Sequence, residues 1–152
     1  ADRIQLFFAG NGPLLERIKA YGEKHLKNPP VIGFYSREEL VKIINFCDLY
    51  CHPAEIEIEA IACLEAISCG LVPVIANSPR CATKAFALDE KCLFNVYDSD
   101  DRAKKIDYFI EHPEEKAALR ERYLSESVTF DQEHCMDMME QMLLEQTKKK
   151  DA

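Results

Sequence analysis

The sequence has no apolar run near the ~18–20 residues that a bilayer crossing needs, and no signal-peptide pattern at its start. Basic residues are in short supply, with 19 Lys and Arg against 27 Asp and Glu and a formal charge of −8. That balance argues against a nucleic-acid backbone as partner and against docking on an anionic lipid surface. Glycine and proline are sparse, at 5 and 7, which excludes collagen-like and low-complexity chains. The cysteines, at 47, 51, 63, 69, 81, 92 and 135, include no Cys-x-x-Cys pair. An odd number in apolar or helical surroundings suits a reducing cytosol, with thiols as small core residues rather than a disulfide framework. Cys51-His52 is the one adjacent Cys/His pair, and nothing nearby completes four zinc ligands. An initiator methionine is lacking too. The chain opens on Ala1 and enters a strand within a few residues, as a piece of a longer protein would.

What is present fits one globular domain: 152 residues, 47 % apolar and 30 % charged. Arg3 to Ala9 is a largely apolar run, expected as a parallel strand buried on both faces. Gly10-Asn11-Gly12-Pro13 breaks it, and Pro13 suits the first turn of a helix reaching about Leu26. Val31 to Phe34 is a second short strand. Ser36 and Glu39 form a capping box for the helix that follows. Leu49 to His52 is a third strand, stopped at Pro53. Glu59 to Ser68 reads as a helix closed by Gly70, and Val72 to Ala76 as a fourth strand. Leu93-Phe94 is a weak fifth. Ser99 is expected to cap a helix through Glu111, Pro113 to start another, and Gln132 to Gln146 to form the last, with Met136, Met139 and Leu143 on one side. Lys148 to Lys150 read as a frayed tail.

Strand and helix alternating in this way predict an α/β, Rossmann-like, doubly wound parallel sheet. Ligands in such folds sit beyond the carboxyl ends of the strands. Those ends are Gly10–Pro13, Phe34–Ser36, Pro53–Glu59 and Asn77–Thr83.

Glu65 lies mid-helix among Ile61, Ala62, Cys63, Leu64, Ala66 and Ile67. A carboxylate there is costly unless something satisfies it. Either a cation such as a lysine pairs with it, or it sits at the helix edge, or it reaches out to a ligand diol. Glu55, Glu57 and Glu59 precede or begin the same helix, where they complement its dipole. The same N-terminus is a cradle for phosphates, which these carboxylates would repel unless cations intervene; Arg80 and Lys84 are candidates. Gly10-Asn11-Gly12 lacks the third glycine of a dinucleotide fingerprint, and no acidic residue follows the second strand at the ribose position. His52, at a strand end, reads as a satisfied core or edge histidine rather than a base, and His25, His112 and His134 as surface residues. No Ser/His/Asp order, His-Glu-x-x-His or lysine-bearing phosphate loop is present.

Glu57 and Glu65, eight apart, followed by Ala-Ile-Ser-Cys-Gly-Leu-Val-Pro-Val-Ile-Ala, resemble the signature of retaining, nucleotide-sugar-dependent glycosyltransferases of group one. Gly10-Asn11-Gly12-Pro13, Gly33-Phe34, Glu38-Glu39-Leu40 and Cys47-Asp48-Leu49-Tyr50 extend the resemblance over most of the chain. The commoner family version has Phe-Gly where this chain has Glu59-Ala60. Glu-Ile-Glu-Ala-Ile-Ala-Cys-Leu-Glu-Ala-Ile, with Ala76-Asn77-Ser78-Pro79, Ala82-Thr83 and Phe86-Ala87-Leu88-Asp89, is similar to the branch that glucosylates lipids, as bacterial diacylglycerol and cholesterol α-glucosyltransferases do.

The resemblance implies the C-terminal, donor-binding lobe of a two-lobed GT-B enzyme. Residues 1–130 would form the donor domain and 131–152 a C-terminal helix and tail, the helix crossing to the other lobe. The first strand, its Gly-Arg…Lys-Gly segment and the acceptor lobe would lie outside the chain. It also implies a catalytic contact from Glu57 to the transferred sugar and a hold by Glu65 on the donor ribose. The diphosphate would lie on the backbone around Glu59, Ala60 and Ile61. Phe34 and Tyr35 would fall at the base pocket, with Gly10 and Gly12 lining the same cleft. The implied reaction moves a hexose, glucose by the branch, from a UDP-sugar to a lipid hydroxyl with retention, needing no metal or other cofactor. The partners implied are the nucleotide-sugar donor and a lipid or polysaccharide acceptor. The location implied is cytoplasmic, with any contact to the inner face of the membrane made through the other lobe. The alternatives are a nucleotide-sugar 2-epimerase of the same fold and a non-catalytic nucleotide-binding module.

Overall fold

The computed structural model describes residues 3–150; Ala1, where the chain opens, and the last two residues of the tail lie outside them. The chain divides into two compact units, Ala1–Ile43 and Ile44–Ala152. Among the described residues all strands are parallel, and they form two sheets, one in each unit.

In the first unit, β1 (Phe7–Ala9) pairs with β2 (Val31–Gly33) in the register Phe7↔Val31, Phe8↔Ile32, Ala9↔Gly33. The expected strand from Arg3 begins only at Phe7. Pro29 and Pro30 have no backbone N–H to donate opposite residues 5 and 6. Side chains take over there: Gln5 donates to the Pro29 carbonyl at 2.8 Å and Asn28 to the Ile4 carbonyl at 3.0 Å. The expected burial on both faces is also corrected, since Phe8 and Ala9 are exposed. Gly22, on α1 (Leu15–His25), is the buried residue among those described in this unit. A Cβ at Gly22 would lie 2.3 Å from Pro30 Cδ, so the helix meets the turn before β2 closely. The helix starts at Leu15 rather than Pro13. At the start of α2 (Arg37–Phe46) the capping box forms: Ser36 N donates to Glu39 Oε2 at 2.9 Å, and Glu39 N to Ser36 Oγ at 3.3 Å. The Ser36 N–H, and the Ser36 hydroxyl donating to the same Oε2 at 2.8 Å, hold the Glu39 carboxyl below its usual range.

In the second unit β4 (Val72–Asn77) lies between β3 (Leu49–His52) and β5 (Leu93–Asn95). Residues 72–76 of β4 are all buried, as its unbroken apolar run predicts for a central parallel strand. Around it pack Cys63 and Ile67 of α3 (Ile61–Ser68), Phe109 of α4 (Ser99–Glu111), and Leu119 and Tyr123 of α5 (Pro113–Ser127). The Tyr123 hydroxyl is satisfied in this core: it accepts from Leu88 N at 2.9 Å and reaches Cys92 Sγ at 3.4 Å. Gly70, at φ +80°, ends α3 as expected. Gly70 N donates to the Ile67 carbonyl at 2.7 Å and Leu71 N to the Ala66 carbonyl at 2.9 Å, which is a Schellman closure.

Two caps differ from expectation. Asp98, not Ser99, caps α4, because its carboxylate accepts from both Asp100 N and Asp101 N, at 3.0 and 2.8 Å. The last helix, α6 (Gln132–Lys150), runs four residues past Gln146, through the expected tail. Its Met136, Met138, Met139, Met142, Leu143 and Leu144 are all exposed, so the apolar surface is wider than one stripe. Among the described residues no helix is long and apolar enough to cross a membrane.

Candidate functional site

The segment between Pro53 and α3 carries the first of the paired glutamates. The expected helix from Glu59 begins two residues later, at Ile61, because Glu57 is engaged elsewhere. Glu57 forms an isolated parallel bridge with Cys81: its N–H donates to the Arg80 carbonyl at 3.2 Å, and its carbonyl accepts from Ala82 N at 2.9 Å. This bridge holds residues 57 and 59 out of helical geometry and fixes where the Glu57 side chain starts. The carboxylate itself turns onto its own backbone, accepting from Ile58 N at 3.0 Å and Glu59 N at 3.3 Å.

Ala60 precedes α3 at φ −92°, ψ 78°, and is 3 % exposed. Its methyl group belongs to the core, so a residue with a Cβ fits where the commoner family version carries glycine. Ile61 and Ala62 open the helix, are exposed, and have no preceding turn to accept their amides. This helix end therefore offers N–H groups and the positive end of a dipole toward solvent. The repulsion expected from three neighbouring carboxylates is reduced. Glu55 is ion-paired with Arg80, and Glu57 is held by amides. Arg80, a candidate cation for a bound anion, is thereby engaged by Glu55.

Glu65 is half-buried on α3, and its carboxylate has no hydrogen bond or ion pair among the described residues. The alternative of a lysine partner is not realised. Burial pushes the Tyr50 hydroxyl well above its ordinary value, and Cys63, Cys51, Glu57 and Glu65 each add to that shift. Tyr50 Oη lies 3.1 Å from His52 Nδ1, and His52 Nε2 lies 3.3 Å from Thr83 Oγ1. His52 is 8 % exposed and Thr83 is fully buried, so the expected satisfied core histidine is what the structure shows. Its partner 31 positions away has no local signal in the sequence.

Four further sequence-picked residues belong to the first unit. Gly10 adopts φ +154° and extends the ladder by donating to the Gly33 carbonyl at 2.8 Å. A Cβ on Gly12 would meet nothing within 4 Å. Phe34, just past β2, is 86 % exposed. Tyr35 folds back over Gly33, where a Cβ would come within 2.8 Å of its ring. Phe34 thus offers an aromatic face to solvent at a strand's carboxyl end, and Gly33 is small because Tyr35 covers it.

A pocket lined by Pro53, Glu55, Phe94, Val96, Tyr97, Asp98, Ser99 and Arg102 holds Glu55 but none of the residues that the resemblance assigns to the donor. All seven cysteines are free thiols. Among the described residues no three His, Cys, Asp or Glu side chains converge as metal ligands.

Comparison with known proteins bears on this geometry. Residues 1–124 match the family described as glycosyl transferases group 1. The fold is similar to that in the crystal structure of the catalytic domain of cholesterol-alpha-glucosyltransferase from Helicobacter pylori. The TM-score is 0.80 and the identity 43 %, over 85 % of this chain and 80 % of that one. Comparison with curated proteins gave no match. The paired glutamates, the parallel α/β fold and the match over most of the sequence agree: the chain belongs to the group 1 glycosyl transferases.

Proposed function

We infer that this chain is the donor-binding lobe of a retaining hexosyltransferase that moves glucose from a UDP-sugar to a lipid hydroxyl. The observation that carries the reading is Glu65, a half-buried carboxylate without a partner one helix turn and more from an open helix N-terminus. A carboxylate so placed is costly to keep unless a ligand satisfies it, and the two hydroxyls of a ribose bind one carboxylate bidentately. With the ribose on Glu65, the diphosphate lies toward the free amides at the start of α3, whose dipole stabilises the departing negative charge. The transferred sugar then comes to Glu57, whose place is set by the bridge to Cys81.

The lipid acceptor is favoured by the 43 % identity to a glucosyltransferase that acts on a sterol. On the family's two-lobed plan the acceptor is held by a lobe outside these residues. Any contact with the cytoplasmic face of a membrane is made there rather than by this acidic surface. The reading assigns no metal: helix-terminal amides and side-chain cations stabilise the leaving diphosphate.

Calorimetric titration with UDP tests the donor assignment. Wild-type chain should bind, and Glu65→Ala roughly tenfold or more weakly, while both keep the same circular dichroism. Equal affinity in the two would overturn the ribose role of Glu65. A 2-epimerase is the second reading of the fold. It predicts consumption of a UDP-sugar without any acceptor, which an assay on donor alone detects.

A further inference from the structure

Glu57 sits in a segment with little regular structure, yet its backbone is held at both polar groups. Both holds come from one short stretch, Arg80 to Ala82. What fixes Glu57 is therefore whatever fixes that stretch. Cys81 is buried and its N–H donates to the Ser78 carbonyl at 3.2 Å, which ties it backward to the end of β4. Forward of it, the chain enters a 3₁₀ turn, Ala82–Phe86, where Thr83 is fully buried. The hydroxyl of Thr83 faces a single side-chain partner, Nε2 of His52, at 3.3 Å. His52 is the last residue of β3 and pairs with Ile75 in the ladder, so its backbone is anchored on the central strand. Its other ring nitrogen is engaged by Tyr50, two residues back on the same face of the strand, at 3.1 Å.

The geometry points to His52 and Thr83 as positioning residues for Glu57, resting on the reading of Glu57 as the sugar-contacting carboxylate. The connection runs from the anchored strand through the imidazole to Thr83, from Thr83 to Ala82, and from Ala82 N to the Glu57 carbonyl. In the neutral imidazole one nitrogen accepts and the other donates, and Tyr50 and Thr83 satisfy one each. Occupying both fixes the ring plane, and the fixed ring fixes the turn. A displacement near 1 Å at a reacting group can cost about 10²-fold in rate. A bond that holds the Glu57 bridge in place is therefore felt in the chemical step before it is felt in global stability.

The test uses Thr83→Val, which keeps shape and removes the hydroxyl, with Thr83→Ser as rescue and His52→Gln as a second route. Two quantities are measured. The first is hydrogen exchange at the Ala82 amide. The second is kcat and KM for glucosyl transfer in the full-length protein, with Glu57→Gln alongside. The expected result is faster exchange at Ala82 and a kcat lowered about tenfold or more in Thr83→Val. KM for the UDP-sugar should stay within about twofold, and Thr83→Ser should recover both quantities. His52→Gln, which still offers a donor near the Nε2 position, should fall between. Unchanged exchange at Ala82 overturns the positioning role, as does an unchanged kcat in Thr83→Val while Glu57→Gln is inactive. Wild-type kcat in Glu57→Gln overturns the role of Glu57 itself, and the exchange result then separates that failure from a failure of the linkage.

Discussion

Ala82 donates its backbone N–H to the carbonyl of Glu57 at 2.9 Å, across 25 residues of sequence. Proline at position 82 would remove that donor and set its ring Cδ against the Glu57 carbonyl. Cys81 already has φ −119° and ψ 111°, the extended conformation that a residue before proline prefers, and a 3₁₀ turn tolerates proline at its start. Ala82→Pro should still cost about 1–3 kcal/mol of stability, because the Glu57 carbonyl loses its partner. It should slow sugar transfer far more than that loss explains. Melting temperature and kcat measured on the same preparation check this.

Glu65→Ala is expected to weaken UDP binding by roughly tenfold or more, since hydrogen bonds to a charged group contribute about 1.5–3 kcal/mol. The same change should leave stability equal or slightly raised, because a half-buried carboxylate without a partner is removed. Titration calorimetry and urea unfolding read the two effects separately.

The glycines of the first unit should behave differently from each other. Gly10 is at φ +154°, so Gly10→Ala strains the backbone and should lower stability by about 1–2 kcal/mol. Gly12 has open space around it, and Gly12→Ala should leave the melting temperature unchanged or a little higher. If Gly12 lines the donor cleft, the added methyl group should still weaken UDP binding.

His52 makes stability depend on pH. Burial pushes its pKa below the ordinary 6.5, with Glu57 opposing that shift. The unfolded chain thus takes up a proton first as pH falls. The contribution of neutral His52 is complete above pH 6.5 and is lost progressively between 6.5 and the lowered native value. Urea midpoints between pH 7 and pH 5 should fall more steeply for the wild type than for His52→Gln, and parallel curves would contradict the assignment.

The features legible in the sequence are the ones set by neighbours in the chain. Val72 to Ala76 reads as a buried parallel strand because its apolar run is unbroken, Gly70 as a stop, and Ser36 with Glu39 as a capping box. The spacing of Glu57 and Glu65 also carries the family resemblance. What the sequence hides depends on distant partners. Phe8 looks like a core residue, yet its strand has a single ladder neighbour in its unit and stays exposed. The helix after Pro53 starts at Ile61 and not Glu59 because Cys81, 24 positions on, claims Glu57. Arg80 looks available for a phosphate and is taken by Glu55. Ala60 stands where the commoner family version has glycine, and its methyl group is part of the core.

The most direct test is the product of the reaction. The full-length protein is given UDP-glucose and a sterol or diacylglycerol acceptor in detergent, and the anomeric proton of the glycolipid is read by NMR. The account predicts an α-glucoside, with Glu57→Gln and Glu65→Ala failing to make it. A β-linked product, or α-glucoside formed undiminished by both variants, would contradict it.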